Sequence, residues 1–234
     1  MENRIRQVLQ EWFETEIPSF KSRNFIPLNL GRDIIISVTG VRRSGKTFTL
    51  YEAAENLRRK YSRYNIIYIN FEDLRLLPLK SEDLINLPKI LHEYFPINKE
   101  EPFWFLLDEI QNVPDWDKVL RNFLDQNRAH LIITGSNTGL LPEKLATALR
   151  GRTYTIQIYP LSFKEYLSFN EFNLSKLGDL YFSSKKPEIL GYLNSYLEYG
   201  GFPKVISLDT AQKSVYLSDP VSYTHLTLPT KRIV

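Results

Sequence analysis

A glycine-rich segment near residue 40 carries the residue types that bind phosphate. It matches the pattern G-x-x-x-x-G-K-[ST] with the residues Gly40, Val41, Arg42, Arg43, Ser44, Gly45, Lys46 and Thr47. Two glycines allow backbone conformations and close approaches that a Cβ would forbid, so the amides between them can point at phosphate oxygens. In this pattern the lysine reaches the β- and γ-phosphates, and the following hydroxyl is a ligand of Mg²⁺. The segment therefore predicts a nucleotide site with Mg²⁺.

The flanking segments have the patterns that position such a loop. Residues 33–38 are a short apolar and β-branched run, typical of a strand buried on both faces. Residues 48–61, starting at Phe48, have apolar residues at helical spacing and no proline. Strand, loop and helix in this order place the phosphates at a helix N-terminus. We therefore predict that the nucleotide lies against the loop and the first residues of this helix.

Two carboxylates follow a second hydrophobic strand pattern. Residues 102–107 are apolar, and Asp108 and Glu109 come directly after them. In P-loop enzymes an acidic residue at this point holds Mg²⁺, so Asp108 is predicted to share the metal with Thr47. Glu109 is the candidate to orient and polarise the attacking water. The alternative is an acidic pair that merely ends a strand at a solvated edge.

Composition and charge narrow the classes of protein. The chain has 234 residues, of which 43% are hydrophobic, and it has no cysteine, which excludes disulfides and thiolate metal sites. No apolar run reaches the length of a membrane-spanning helix, and the N-terminus reads as a charged amphipathic helix rather than a signal peptide. We therefore expect a cytoplasmic protein without membrane contact. A net charge of +3 is weak support for an anionic partner.

The remaining patterns alternate between strands and helices. Strands are predicted at 65–71, 130–137 and 154–158, and helices at 3–15, 81–94, from 114, up to 149, from 162 and at 187–199. We predict four parts: an N-terminal helix and lead-in (1–24), a P-loop ATPase core (25–160), a helical lid (161–207) and a tail (208–234). The three histidines share no ligand spacing, so no metal other than Mg²⁺ is expected.

Together these motifs resemble the AAA+-type P-loop ATPases of archaea and bacteria that carry a C-terminal region of unknown function. The matching segments are Gly40–Thr47, Asn70–Asp73, Leu107–Gln111 with Trp116, Thr134–Ser136, Leu149–Arg152, Pro160–Phe163 and Tyr199–Pro203. The resemblance implies an α/β fold with a three-layer core, a parallel sheet of order 5-1-4-3-2 and a small helical lid. It also implies ATP rather than GTP, since no guanine-reading N-K-x-D motif is present.

The resemblance further implies two roles that depend on position. A sensor of the γ-phosphate or of the attacking water would be Ser136 or Asn137, and we favour Ser136, although a turn at Gly135 could equally need small polar residues. An arginine finger aimed at a neighbouring subunit would be Arg152 or Arg150, and we favour Arg152. The alternative is a surface charge or a helix C-cap. The finger implies a homo-oligomer.

The end of the chain departs from the family pattern. Residues 221–234 have no counterpart in it and resemble translated adapter or vector sequence, so we hypothesise a truncated reading frame with native sequence up to about Asp219. The alternative is a C-terminal β-segment of alternating Thr and Leu.

Three functions are compatible with these residues. The first is Mg²⁺-dependent ATP hydrolysis that drives conformational change or subunit rearrangement. The second is a nucleotide-gated module that docks to DNA or a protein partner with little turnover. The third, a small-molecule kinase, fits the Asp-Glu strand end and the arginines less well.

Overall fold

The structure, a computed structural model, describes residues 2–23, 25–126, 129–136, 149, 151–172 and 185–218. The described residues form two compact units. The first comprises the chain up to Gly40 and then Lys46–Ile158. The second comprises the loop Val41–Gly45 and the described residues from Tyr159 onward. Among the described residues, no helix is both long and apolar enough to cross a membrane.

The first unit is built on a parallel sheet of five strands. The strands are β1 (Ile35–Gly40), β2 (Ile66–Asn70), β3 (Phe103–Asp108), β4 (Ala129–Ser136) and β5 (Thr153–Ile158). Their order across the sheet is β2-β3-β4-β1-β5. This is the predicted order read from the opposite edge, and the predicted α/β fold class is confirmed.

Helices of the first unit pack with this sheet into one hydrophobic core. They are α1 (Glu2–Glu14), α2 (Lys46–Arg58), α3 (Ser81–Ile85), α4 (Leu87–Tyr94) and α5 (Trp116–Asp125), with 3₁₀ helices at Arg63–Asn65, Leu74–Leu76 and Ile110–Asn112. All six residues of β1 are buried. Successive side chains of a strand point to opposite faces, so both faces of this strand are covered. This explains why the strand reads as a continuous apolar run.

One predicted helix is divided in the structure. The segment 81–94 forms α3 and α4, with Asn86 between them. Pro88 lies in the first turn of α4, where its missing N–H has no helical partner to lose. A proline further inside a continuous helix would remove a hydrogen bond and clash with the preceding turn. The helix predicted to end at residue 149 lies outside the described residues, apart from Leu149 itself.

The second unit is helical apart from its loop. It contains α6 (Phe163–Phe169), α7 (Lys186–Tyr199), α8 (Pro203–Ile206) and α9 (Thr210–Ser218). A small apolar cluster of Leu167, Phe172 and Ile189 joins α6 to α7. The chain before α6 also lies close to the turn after α7. The Leu161 N–H there donates a hydrogen bond to the Gly201 carbonyl at 2.6 Å. A Cβ on Gly201 would lie 2.2 Å from the Leu161 carbonyl oxygen, so this approach requires glycine.

Candidate functional site

The carboxylate of Asp108 lies at the carboxyl end of β3 and is fully buried. Its Oδ2 accepts hydrogen bonds from the Thr47 hydroxyl at 2.7 Å and from the Tyr68 hydroxyl at 3.0 Å. Its Oδ1 accepts a bond from the Thr134 hydroxyl. Hydrogen bonds to an ionised carboxylate compensate part of the cost of burying its charge. Adjacent strands β2 and β4 and the first turn of α2 supply these donors.

Tyr68 is held protonated by the same surroundings. Burial raises the pKa of its hydroxyl well above the ordinary range, and the negative charge of Asp108 raises this pKa further. The phenol therefore stays a hydrogen-bond donor at every physiological pH. Its ring is surrounded by aromatic neighbours, with ring centroids 5.1 Å from Trp12 and 5.0 Å from Tyr51. The Tyr68 hydroxyl is thus held in place by the packing of its ring and by its hydrogen bond to Asp108.

Glu109 has a backbone conformation that few residues other than glycine adopt. Its φ of 53° and ψ of 49° place it in the left-handed region, directly before the 3₁₀ helix Ile110–Asn112. Its N–H donates to the Thr134 hydroxyl at 3.0 Å, so Thr134 connects Glu109 to Asp108. Such a conformation in a non-glycine residue persists when its surroundings hold it, and it clusters at functional sites.

Lys46 and Glu109 bring opposite charges to the same site. Lys46 begins α2, is buried with 6% of its side chain exposed, and donates from Nζ to the Gly40 carbonyl at 3.2 Å. Its Nζ lies 3.6 Å from Oε1 of Glu109. The other carboxylate oxygen of Glu109, Oε2, accepts a hydrogen bond from Nε2 of Gln111 at 2.6 Å.

The oxygen atoms of Thr47 and Asp108 are of the kind that binds a hard divalent cation. The Thr47 hydroxyl donates its proton to Asp108, which leaves lone pairs of the Thr47 oxygen available to a metal. Mg²⁺ is commonly held by one or two protein oxygens together with water and substrate phosphates. Within the described ranges, no group of three or more His, Cys, Asp or Glu side chains could hold a metal ion by itself.

The loop Val41–Gly45, described within the second unit, contacts α9. The guanidinium of Arg43 lies 4.3 Å from the ring centroid of Tyr216, and its Nη1 donates to the Tyr216 carbonyl at 3.2 Å. Gly45 has a φ of 105°, a conformation that favours glycine. Among the other loop residues, Ser44 is buried, Val41 is partly buried and Arg42 is exposed.

The structure also describes the predicted site residues Ser136 and Phe48. The backbone of Ser136 pairs with Gly40 in register, at the same sheet edge as Asp108. Phe48 is 49% exposed and packs edge-on against Tyr51. Asn137 and Arg150 lie outside the described residues.

Arg152 is not brought to the phosphate-binding residues of its own chain. The Arg152 carbonyl accepts a hydrogen bond from the N–H of Ile35, the first residue of β1. Arg152 therefore lies near the amino end of this strand, whereas Gly40 lies at its carboxyl end. Its Nη1 pairs with Oδ1 of Asp125 at 2.8 Å. A role for Arg152 at a neighbouring subunit's site stays a prediction.

Three residues of this site have no role in the sequence analysis: Tyr68, Gln111 and Thr134. Tyr68 and Thr134 interrupt apolar strands with a hydroxyl, and such an interruption in a buried strand is a usable signal. The signal becomes specific only once β2 and β4 are known to flank β3. Gln111 belongs to a quoted motif, but its bond to Glu109 depends on the turn that follows β3.

The fold and these residues define a class of protein. A parallel α/β sheet in this order, with a G-x-x-x-x-G-K-T loop between β1 and α2, is that of a P-loop nucleotide-binding ATPase domain of the AAA+ type. The family model described as "AAA domain" matches residues 32–167, which is more than half of the chain. The chain therefore belongs to the AAA domain family.

Individual relatives extend over much of the chain. The uncharacterized protein MJ1544 of Methanocaldococcus jannaschii is 40% identical over 172 residues, which cover 74% of this chain and 36% of that protein. An uncharacterized protein of Haemophilus influenzae is 35% identical over 219 residues, covering 93% of this chain and 47% of that protein. The chain thus spans less than half the length of these two relatives.

A solved structure is also similar. Cdc6p from Pyrobaculum aerophilum has a TM-score of 0.44 and is 17% identical, with 73% of this chain and 47% of that chain covered.

Proposed function

We propose that this chain binds ATP together with Mg²⁺ and hydrolyses it. The observation that carries the proposal is the 2.7 Å hydrogen bond between Thr47 and Asp108, adjacent in sequence to the Lys46–Glu109 pair. The proposed site therefore combines one hydroxyl, one ammonium and two carboxylates that have different surroundings. Asp108 is buried and fixed by hydroxyl donors, whereas Glu109 keeps 17% of its side chain exposed. This difference suits a metal-holding role for Asp108 and a water-facing role for Glu109.

In the proposed reaction, the oxygen of a water molecule bonds to the γ-phosphorus. The bond from that phosphorus to the β,γ-bridging oxygen breaks, and ADP leaves with its electron pair. Glu109 orients the water and accepts the proton that it loses. The products are ADP, phosphate and a proton. Lys46 binds the β- and γ-phosphate oxygens and stabilises the charge that develops on them.

Thr47 and Asp108 are the residues proposed to hold Mg²⁺. When bound, the cation would neutralise charge on the β- and γ-phosphates. The hydroxyls of Tyr68 and Thr134 orient the Asp108 carboxylate from the side of β2 and β4. Neighbours of this kind fix a metal ligand in one geometry and are important for metal affinity.

The proposed site gives two matched substitutions with different expected results. Lys46→Ala should abolish nucleotide binding, because it removes the cation that contacts the phosphates. Glu109→Gln should bind ATP but turn it over at least about a hundredfold more slowly, because an amide cannot accept the proton. Binding is measured with a fluorescent ATP analogue, and turnover by phosphate release with Mg²⁺ present.

The exposed pair Lys89 and Glu93 on α4 provides the controls. Their side chains lie 3.8 Å apart on the helix surface and are 63% and 45% exposed. Lys89→Ala and Glu93→Gln make the same chemical changes away from the site and should leave both measurements at the parental values. Turnover by Glu109→Gln at the parental rate would show that Glu109 is not the residue that activates water.

A nucleotide-gated binding module is the second candidate. The contact of Arg43 with Tyr216 connects the phosphate loop to α9 within the second unit, so occupancy of the loop has a direct route to that helix. In this candidate, bound ATP controls docking to DNA or to a protein partner. Negligible turnover with and without DNA, combined with nucleotide-dependent association, would favour the module over the hydrolase.

A further inference from the structure

Gln111 is the residue whose contacts are not explained by the roles described above. We infer that Gln111 is a positioning residue that holds the Glu109 carboxylate apart from Lys46, so that both remain available to substrate. The inference rests on the proposed function, since it concerns the residue proposed to activate water. The observations that carry it are two distances, the burial of the Gln111 amide oxygen and the chemistry of an amide beside a carboxylate.

The Lys46–Glu109 pair is longer than the charges alone would favour. Nζ and Oε1 are 3.6 Å apart, whereas a charge-assisted N–H···O bond normally spans about 2.7–2.9 Å. Both side chains are largely shielded from water, which strengthens their attraction. Each of the two side chains has a further hydrogen-bond partner, and for Lys46 it is the Gly40 carbonyl, to which Nζ donates at 3.2 Å. The hydrogen bond from Gln111 to Oε2, at 2.6 Å, is the contact that restrains this carboxylate.

The orientation of the Gln111 amide follows from its partner. An ionised carboxylate only accepts hydrogen bonds, so the nitrogen of the amide must face Glu109 and the oxygen must face away. That oxygen, Oε1, is buried and has no donor among the described residues. Leaving a buried acceptor without a donor is unfavourable, and an apolar side chain of similar size would avoid it. The buried amide oxygen of Gln111 is therefore unfavourable for stability, whereas its N–H group holds the Glu109 carboxylate.

Loss of this restraint has a defined consequence. Without the Gln111 N–H, the Glu109 carboxylate can close onto Lys46 and form a tight ion pair. Lys46 would then be less available to phosphate, and Glu109 less available to water. A purely structural role of Gln111 would not link these two effects to the charge of Glu109.

The test uses Gln111→Leu in the full chain, with affinity for a non-hydrolysable ATP analogue and turnover measured separately. We expect several-fold weaker analogue binding and a turnover number lower by about tenfold to a hundredfold. Adding Glu109→Gln removes the charge that captures Lys46. In that background, Gln111→Leu should leave analogue affinity equal to that of Glu109→Gln alone.

The control is Gln10→Leu on α1, where Nε2 of Gln10 donates to an exposed carboxylate oxygen of Glu14 at 2.9 Å. It should leave affinity and turnover at the parental values, and circular dichroism verifies that each variant is folded. Unchanged affinity and turnover in a folded Gln111→Leu chain, beside normal parental turnover, overturn this inference alone. Equal loss of affinity in both backgrounds also overturns it. A parental chain without turnover overturns the proposed hydrolysis, and this inference with it.

Discussion

Asp108 is a fully buried carboxylate whose oxygens accept hydrogen bonds from three hydroxyls, those of Thr47, Tyr68 and Thr134. Hydroxyl donors compensate burial without adding a formal positive charge. These donors hold the carboxylate in a position where a divalent cation can contact it. A salt bridge to lysine or arginine would satisfy Asp108 equally well, but it would compete with a cation for the same charge.

Removal of the Tyr68 hydroxyl should destabilise the first unit. Tyr68→Phe leaves the ring in place and deletes one donor to Asp108, so we expect a loss of about 1.5–3 kcal/mol in the free energy of unfolding. Unfolding in urea, followed by fluorescence of Trp12, Trp104 and Trp116, measures this unit, since all three tryptophans of the chain lie in it.

Tyr94→Phe is the matched control, because the exposed Tyr94 hydroxyl donates to a carboxylate oxygen of Glu2 at the same 3.0 Å. In water-exposed surroundings its loss should leave the free energy of unfolding close to the parental value. Equal effects of the two substitutions would contradict the view that burial makes the Tyr68 bond strong.

At the scale of single elements, local signals and tertiary packing act together. Residues Ser162 to Glu165 have the S-x-x-E pattern of a capping box. In the structure the Ser162 hydroxyl accepts from the Glu165 N–H, while the Glu165 carboxylate accepts from the Ser162 N–H. The division of residues 81–94 into α3 and α4 was not predicted, although Pro88 marks it. A capping box can be recognised from a few neighbouring residues. The point at which a helix divides depends also on how the two parts pack, which the local sequence does not specify.

Ser162→Ala should loosen the first turn of α6. Loss of an N-cap costs about 1 kcal/mol, equivalent to about a fivefold loss of hydrogen-exchange protection in that turn. Mass-spectrometric hydrogen exchange of α6 measures it. Ser214→Ala within α9 is the contrast, because alanine inside a helix is the better helix former, so protection of α9 should not fall. Unchanged protection of α6 in Ser162→Ala would show that the cap adds no stability.

The β3–β4 pair contains a histidine that should make stability depend on pH. His130 is in register with Trp104, and the two rings stack with centroids 3.9 Å apart. Burial, and then the positive charge of Arg32, lower the pKa of His130 to about 4. Between pH 6.5 and 4 the unfolded chain binds a proton that the folded imidazole does not, so stability falls as pH falls through this range.

His130→Phe should keep the stacked ring and remove this titration. We expect the slope of unfolding free energy against pH, measured by urea unfolding between pH 6.5 and 4, to decrease by at most about one bound proton. Above pH 7 the difference between variant and parent should be constant. A slope identical to that of the parent would mean that His130 protonates alike in the folded and unfolded chains.

For the whole molecule, the question is whether one chain completes its own site. Arg152 lies near the amino end of β1, opposite the end at Gly40, and its side chain pairs with Asp125. Action of Arg152 on another subunit's site stays a prediction. The curated relatives are more than twice as long as the matched part of this chain in both reported cases. What the proposed hydrolysis would drive is a further proposal.

A subunit-mixing experiment tests the finger. Turnover per subunit should rise with protein concentration, and Arg152→Ala should lower it by about 10³-fold or more. Mixing Arg152→Ala with Lys46→Ala should restore turnover, because one chain keeps the nucleotide site and the other keeps the arginine. Asp125→Ala, which removes only the partner of Arg152, should retain turnover. Concentration-independent turnover with no recovery on mixing would rule out an arginine supplied in trans.

The sequence by itself predicted an α/β arrangement of strands and helices, because the loop pattern and the apolar strand runs are local and periodic. The order of the strands followed only from the resemblance that the motifs carry. It also named Lys46, Thr47, Asp108 and Glu109 as candidates. Tertiary structure alone decided which side chains surround them. Tyr68 and Thr134 are ordinary polar residues until β2, β3 and β4 lie side by side, since hydrogen bonds between strands far apart in the chain leave no periodic signal in the sequence. Gln111 is an ordinary polar residue until the turn after β3 brings its amide to Glu109.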